Sequence, residues 1–271
     1  MSSTEVERIN GFLAGFARRQ AERTAELPCG FAVYDDRYAE SWSNNQVFVD
    51  RAGAEPAAVP GLVDEAMGER PFRLVSVLDG SFGDACVEPF LRAGYEHHDY
   101  LLMLHTGPAP AVAPSSREPA AAFTAEPAGR TAEDVDLEAI RAPLSARWRA
   151  LLPEAGEEVV RRLVDRRETR TRGAAIVRTL GSRAENGEVA AWGDLYLEPA
   201  LGIAQIEDLM TAETQLRRGH ADAVLATALR RAVNAGCGTR FLIADAEDWP
   251  RHWYERRGFA VIGRSHGFQR T

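Results

Sequence analysis

The chain has 271 residues, with 32 basic side chains against 40 acidic ones and a formal net charge of −8. That balance argues against a nucleic-acid partner and fits a small cationic one better, while the absence of any apolar run of membrane length argues against a spanning segment. The length exceeds one typical domain.

Met1-Ser-Ser-Thr-Glu-Val-Glu-Arg8 is charged and lacks the apolar core of a secretory signal, so the expected location is cytoplasmic. Val47–Asp50 and Arg73–Leu78 read as strands in the N-terminal part. Pro89-Phe-Leu-Arg-Ala-Gly-Tyr95 reads as a helix that stops at Gly94 and hands over to another strand. Gly107–Ala120 is rich in Pro, Ala and Ser and reads as a linker. It divides the chain into residues 1–106 and 121–271. Beyond it, Asp134–Arg141 and Glu157–Val164 carry helical patterns. Gly173–Leu180 and Glu188–Leu197 read as strands joined by a turn at Ser182–Gly187.

Leu201–Thr211 reads as a strand that runs into the polar loop Thr211–Gly219. From Ala221 the apolar positions Val224, Leu225, Ala228, Leu229 and Ala232 have helical spacing along one face. A glycine at the mouth of that helix permits close backbone approach. The free N–H groups of the first turn attract anions, and Arg217 and Arg218 add positive charge. The pattern is that of a pyrophosphate cradle. Neither Gly-x-Gly-x-x-Gly nor Gly-Lys-Ser/Thr is present, so the two commonest nucleotide fingerprints are missing. Thr239–Ala244 is a further strand, Asp248–Arg257 a short helix ended by Gly258, and Phe259–Ile262 a third strand.

This order, with Leu216-Arg-Arg-Gly-His-Ala221 at the loop and Tyr254-x-x-x-Gly258-Phe259 at the end, resembles the GNAT superfamily of acyl-CoA N-acyltransferases over roughly residues 120–271. The family loop begins with Gln or Arg, where this chain has Leu216. The resemblance implies an α/β (α+β) fold with a mixed central sheet flanked by helices. It also implies acetyl-CoA as co-substrate, contacted by Leu209, Met210, Thr211, Leu216, Arg217, Arg218, Gly219, His220, Ala221 and Asp222. His220 reads either as a further donor near phosphate or as an exposed helix-start residue.

The N-terminal part echoes this pattern. Arg73–Leu78 matches Arg240–Ala244, and Pro89–Tyr95 matches Trp253–Phe259, with Phe90 standing where Tyr254 stands. In place of the basic loop it has Ala54-Glu-Pro-Ala-Ala-Val-Pro60, whose prolines remove donors and whose Glu repels phosphate. A duplicated fold is expected, with residues 1–106 a degenerate copy that binds no coenzyme.

N-acyl transfer needs an oxyanion stabiliser, a base for the amine and an acid for the leaving thiolate. The resemblance implies backbone N–H groups near Leu209–Thr211 for the first and Tyr254 for the last; a phenol of pKa near 10 can protonate a thiolate. Strand alternation sets Gln205, Glu207 and Leu209 on one face and Ile206, Asp208 and Met210 on the other. Glu207 is the preferred base, although Gln205 holds a position where the family often has the carboxylate. Asp208 and a water relay are the alternatives. Trp249 and Trp253 read as pocket lining or core.

Cys29, Cys86 and Cys237 form an odd, scattered set without a C-x-x-C pattern. The six His show no ligand spacing. His97 and His98 would face opposite sides of a strand, and His105, His252 and His266 are isolated, so no metal is expected. The reading is an acetyltransferase for a small-molecule amine, working by direct attack in a ternary complex as a monomer or homodimer. Its rivals are an acyl-CoA-binding regulatory protein and an enzyme of other acyl-CoA chemistry.

Overall fold

The computed structural model describes residues 3–108 and 130–271; the expected linker lies outside the described residues from 109 onward. The fold is mixed α/β, and the chain divides into two compact units. The first takes in residues 1–103, 243–252 and 261–271, and the second 104–242 and 253–260. The units are therefore discontinuous in sequence, and the last strand is counted with the first of them.

In the first unit, α1 (Ser3–Gln20) precedes β1 (Arg23–Leu27), β2 (Gly30–Tyr34) and β3 (Gln46–Val49). Then come α2 (Val59–Met67), β4 (Arg73–Val77), α3 (Gly80–Arg92) and β5 (Glu96–His105). The strand order is β1-β2-β3-β4-β11-β5, where β11 is Phe259–Arg270. Sequence reading ends that last strand near Ile262. It runs on because His266–Arg270 pair antiparallel with Val77–Arg73, which supplies partners for their backbone groups. The core includes Val47, Val49, Val63, Val75, Val77, Cys86, Phe90 and Phe268.

In the second unit, β6 (Glu133–Asp134), α4 (Leu137–Leu151) and α5 (Glu157–Asp165) precede a 3₁₀ segment, Arg166–Arg172. β7 (Ile176–Arg183), β8 (Val189–Glu198), β9 (Ile203–Thr211), α6 (His220–Asn234), β10 (Thr239–Asp245) and α7 (Pro250–Glu255) follow, with residues 243–252 of the last two counted with the first unit. The strand order is β10-β9-β8-β7-β6. The helix expected from Asp134 begins at Leu137 instead. Asp136 is its cap and accepts from the Ala139 N–H at 2.8 Å, while Asp134 pairs with Leu180. A capping carboxylate sets a helix start more firmly than periodicity does. On α6 the apolar stripe Val224, Leu225, Ala228, Leu229 and Ala232 is buried as its spacing requires.

The two units share a run of elements, which is consistent with a duplicated arrangement. Within each unit an antiparallel pair (β2/β3, β8/β9) is followed by a parallel pair (β3/β4, β9/β10) across a helix. Gly94 and Gly258 both close their helices at positive φ, +81° and +85°. Tyr95 and Phe259, the residues after them, are buried. Each meets the aromatic four residues before its glycine edge-on, Phe90–Tyr95 at 4.8 Å and Tyr254–Phe259 at 5.8 Å. No helix among the described residues is long and apolar enough to cross a membrane.

Candidate active site

The two parallel strand pairs differ where it matters. In the first unit β3 and β4 stay paired to the end of β3, Val49 opposite Val77, with a further Leu78 N–H to Val49 O bond of 3.0 Å. In the second unit β10 pairs with β9 only from Thr239–Phe241 to Ile203–Gln205. Both strands continue, β9 to Thr211 and β10 to Asp245. The described pairing of β9 with β10 stops at Gln205, so Ile206–Thr211 presents a backbone edge that is a template for an extended ligand.

A bulge sits in the open stretch. The β8–β9 register shifts between Trp192, opposite Met210, and Asp194, opposite Glu207. Asp208 takes a left-handed φ of +49° there. The bulge breaks the alternation expected from sequence, so Met210 rather than Leu209 comes into phase with Glu207.

The loop after β9 carries two left-handed residues, Arg217 at φ +61° and Gly219 at φ +81°. Gly219 is the N-cap of α6. Left-handed residues in such a turn make consecutive N–H groups converge, and the helix terminus adds its positive end. Among the described residues, the N–H groups from Arg217 to Asp222 donate to none. Arg217, Arg218 and Leu216 are exposed. The start of α2 offers nothing similar: it follows a 3₁₀ turn at Pro56–Ala58 and carries Pro60 in its first turn.

Two side chains expected at the cradle, His220 and Asp222, and one read as pocket lining or core, Trp249, have the following surroundings. His220 is 1% exposed, so it is not an exposed helix-start residue. Its Nδ1 lies 3.0 Å from Ser182 Oγ on β7, and burial holds its pKa down. Asp222 is ion-paired with Arg257, which also donates to Trp253 O at 3.0 Å and lies over the Trp253 ring. The Asp222 carboxylate is thus committed to Arg257, which ties α6 to α7. Trp249 is 67% exposed and belongs to no core.

Glu207 and Asp208 have opposite environments. Arg167 donates to Asp208 at 2.9 Å and Arg170 at 2.6 Å. The same two guanidiniums hold Asp194, each at 2.6 Å, and Thr179 and Tyr196 hydroxyls also reach it. Burial works against ionisation of Asp208, but Arg170 and Arg167 overcome it and hold its carboxyl well below the usual range. Glu207 accepts from Gln205 Nε2 at 2.6 Å. Burial, then the Asp208 charge, pushes Glu207 up to about 7. A carboxylate poised near neutrality can take a proton; one locked between two guanidiniums cannot.

Sequence reading missed Arg167, Arg170 and Asp194. A signal existed: a lone Asp in the apolar run Ala190–Leu197, after an arginine-rich segment at 166–172. A buried acid there requires a base. Tyr254, half-buried on α7, sits edge-on between Trp253 at 5.1 Å and Phe259.

A profile described as the acetyltransferase (GNAT) family matches residues 143–259. The chain carries a GNAT domain. Among solved structures, a GCN5-related N-acetyltransferase from Kribbella flavida shares its fold at TM-score 0.60 and 18% identity, covering 97% of this chain and 95% of that one. A conserved protein of unknown function from Staphylococcus epidermidis does so at 0.61 and 10%, covering 91% and 92%. A second GCN5-related N-acetyltransferase, from Sphaerobacter thermophilus, reaches 0.51 at 16%, covering 89% and 76%. No curated protein matches the sequence.

Proposed function

We propose that this GNAT-domain protein is an acetyl-CoA-dependent N-acetyltransferase acting on a small-molecule amine, with one coenzyme site per chain, in the second unit. The observation that carries the reading is the open backbone edge Ile206–Thr211 leading directly into the unpaired N–H groups of Arg217–Asp222. A pantetheine arm has the amide spacing to pair with such an edge, and a pyrophosphate matches the loop. The first unit's zipped β3/β4 pair and its Pro60 supply the contrast.

Bound there, the coenzyme would supply an activated acetyl thioester. Backbone at Leu209–Thr211 would hold the pantetheine arm and face the thioester oxygen. Arg217, Arg218 and Gly219 would hold the phosphates. Glu207, protonated about half the time near pH 7, would take the proton of the attacking amine, which arrives as a cation. Asp208, held by Arg167 and Arg170, keeps its charge and raises the Glu207 pKa. Tyr254 would protonate the departing thiolate. Arg257 would keep the α7 that bears Tyr254 in register with the cradle through Asp222. The elevated Glu207 pKa favours transfer over a purely regulatory coenzyme-binding role, which needs no base.

The test is calorimetric titration with acetyl-CoA, followed by an amine-library screen for thiol release. Gly219→Val should retain the fold yet lose most coenzyme affinity, because a branched side chain disfavours φ +81° and blocks close approach. One site in the parent and none in the variant is expected. Two sites, or undiminished binding by the variant, overturns the reading.

A further inference from the structure

The first unit brings together three polar side chains that the acyl-transfer reading does not use. His97 and Asp99 lie on β5 and His266 on β11. His97 Nε2 and His266 Nδ1 are 2.9 Å apart. Asp99 Oδ1 is 3.3 Å from His266 Nδ1 and 3.7 Å from His97 Nε2. These three donor atoms face one another within a single small triangle.

We infer that His97, Asp99 and His266 form a binding site for a divalent transition-metal ion of the zinc class, with its fourth position open to water. The edges of the triangle bracket the ~3.3–3.4 Å edge of a tetrahedron whose metal–ligand bonds are about 2.0–2.1 Å long. Two imidazoles and one carboxylate are borderline nitrogen and hard oxygen donors, which suit such an ion.

Three further features look built for it. His266 is 1% exposed, and its other nitrogen, Nε2, donates to Gly80 O at 3.0 Å. That bond fixes the tautomer with a bare lone pair on Nδ1, the usual support for a metal-bound imidazole. The ring fits because residue 83 is glycine: a Cβ there would come within 2.0 Å of His266 Cδ2. Finally, Asp99 Oδ1 is buried yet accepts no hydrogen bond, a costly state for a carboxylate oxygen. An ion would satisfy it.

His97 has 20% of its side chain exposed and Asp99 34%, so the open side faces solvent. In the metal-free protein the short nitrogen–nitrogen contact is a hydrogen bond donated by His97. Ion binding replaces it, with His97 turning slightly while His266 stays clamped. The His97 proton moves, by exchange with solvent, from Nε2 to Nδ1, so that the neutral ring offers its Nε2 lone pair. The site ties β5 to β11, so it would act as a structural clasp on the C-terminal strand. None of this rests on the coenzyme reading.

The experiment is titration of chelator-treated full-length protein with Zn²⁺ by calorimetry, with Co²⁺ absorbance to report ligand geometry. One equivalent should bind, Tm should rise, and Co²⁺ should give the intense visible bands of a four-coordinate site. His97→Ala and Asp99→Asn should each lose about tenfold or more in affinity, since even outer-shell partners contribute about 10–100-fold. His98→Ala, the neighbour on the strand's other face, should bind like the parent. His266→Ala risks misfolding, so His97→Ala carries the decision. Absence of stoichiometric binding, or binding that His97→Ala and Asp99→Asn leave intact, overturns the proposal.

Discussion

Replacing Glu207 by Gln should make the protein slower and, at alkaline pH, more stable. Folding takes its carboxyl from an ordinary 4.5 to about 7, so the folded protein holds this proton more tightly than the unfolded chain does. The resulting stability is fully present below about pH 4.5 and is lost as pH rises through about 7. Two and a half pH units correspond to about 3 kcal/mol at most, lessened by the partial exposure of the site. Gln keeps the acceptor for Gln205 and carries no charge, so the variant should not show this loss. Urea unfolding at about pH 5 should find parent and variant nearly equal; near pH 8.5 the variant should lead by up to about 3 kcal/mol. In the same proteins, parent kcat/KM should rise with pH around a midpoint near 7, and the variant should lose that midpoint along with a factor of about 10²–10⁴. A variant no more stable than the parent at alkaline pH would refute the raised pKa. A variant that retains rate and midpoint would move the base elsewhere.

Tyr254→Phe should lower kcat and kcat/KM together by at least about tenfold with little change in coenzyme affinity, the signature of a group acting only in the transition state; steady-state kinetics and calorimetry check it. Asp194→Ala should cost about 3–5 kcal/mol in chemical unfolding, because it leaves Arg167 and Arg170 buried against a single remaining carboxylate. Arg257→Met should raise the KM for acetyl-CoA and lower kcat while Tm falls only slightly, because it cuts the Asp222–Arg257–Trp253 link between cradle and acid; an unchanged kcat would show the link to be only structural.

What the sequence made legible was local. The stripe Val224–Ala232, the strand before it and the glycines at 219 and 258 each declare their conformation through periodicity or φ, and they lie where the pattern places them. What it hid was the product of long-range pairing. His97 and His266 are 169 residues apart, so no spacing rule finds them. Asp208 leaves strand alternation because a bulge opposite Gly193 absorbs one residue, and no local preference announces a bulge there. His220 looks exposed by helix position, yet Ser182 on β7 receives it inside. The opening between β9 and β10 has no signature of its own, since it consists of hydrogen bonds that are not made; only family resemblance anticipates it.

The pairing of His266–Arg270 with Val77–Arg73 has a genetic consequence. Residues 266–270 complete a segment of sheet whose other strands lie within residues 23–105, so that segment cannot close until both parts of the chain are present. A stop codon before residue 266 would damage the first unit, and a fragment starting at residue 107 would carry a strand deprived of its mate. The first unit is therefore needed for the folding of residues 266–270 whatever it binds.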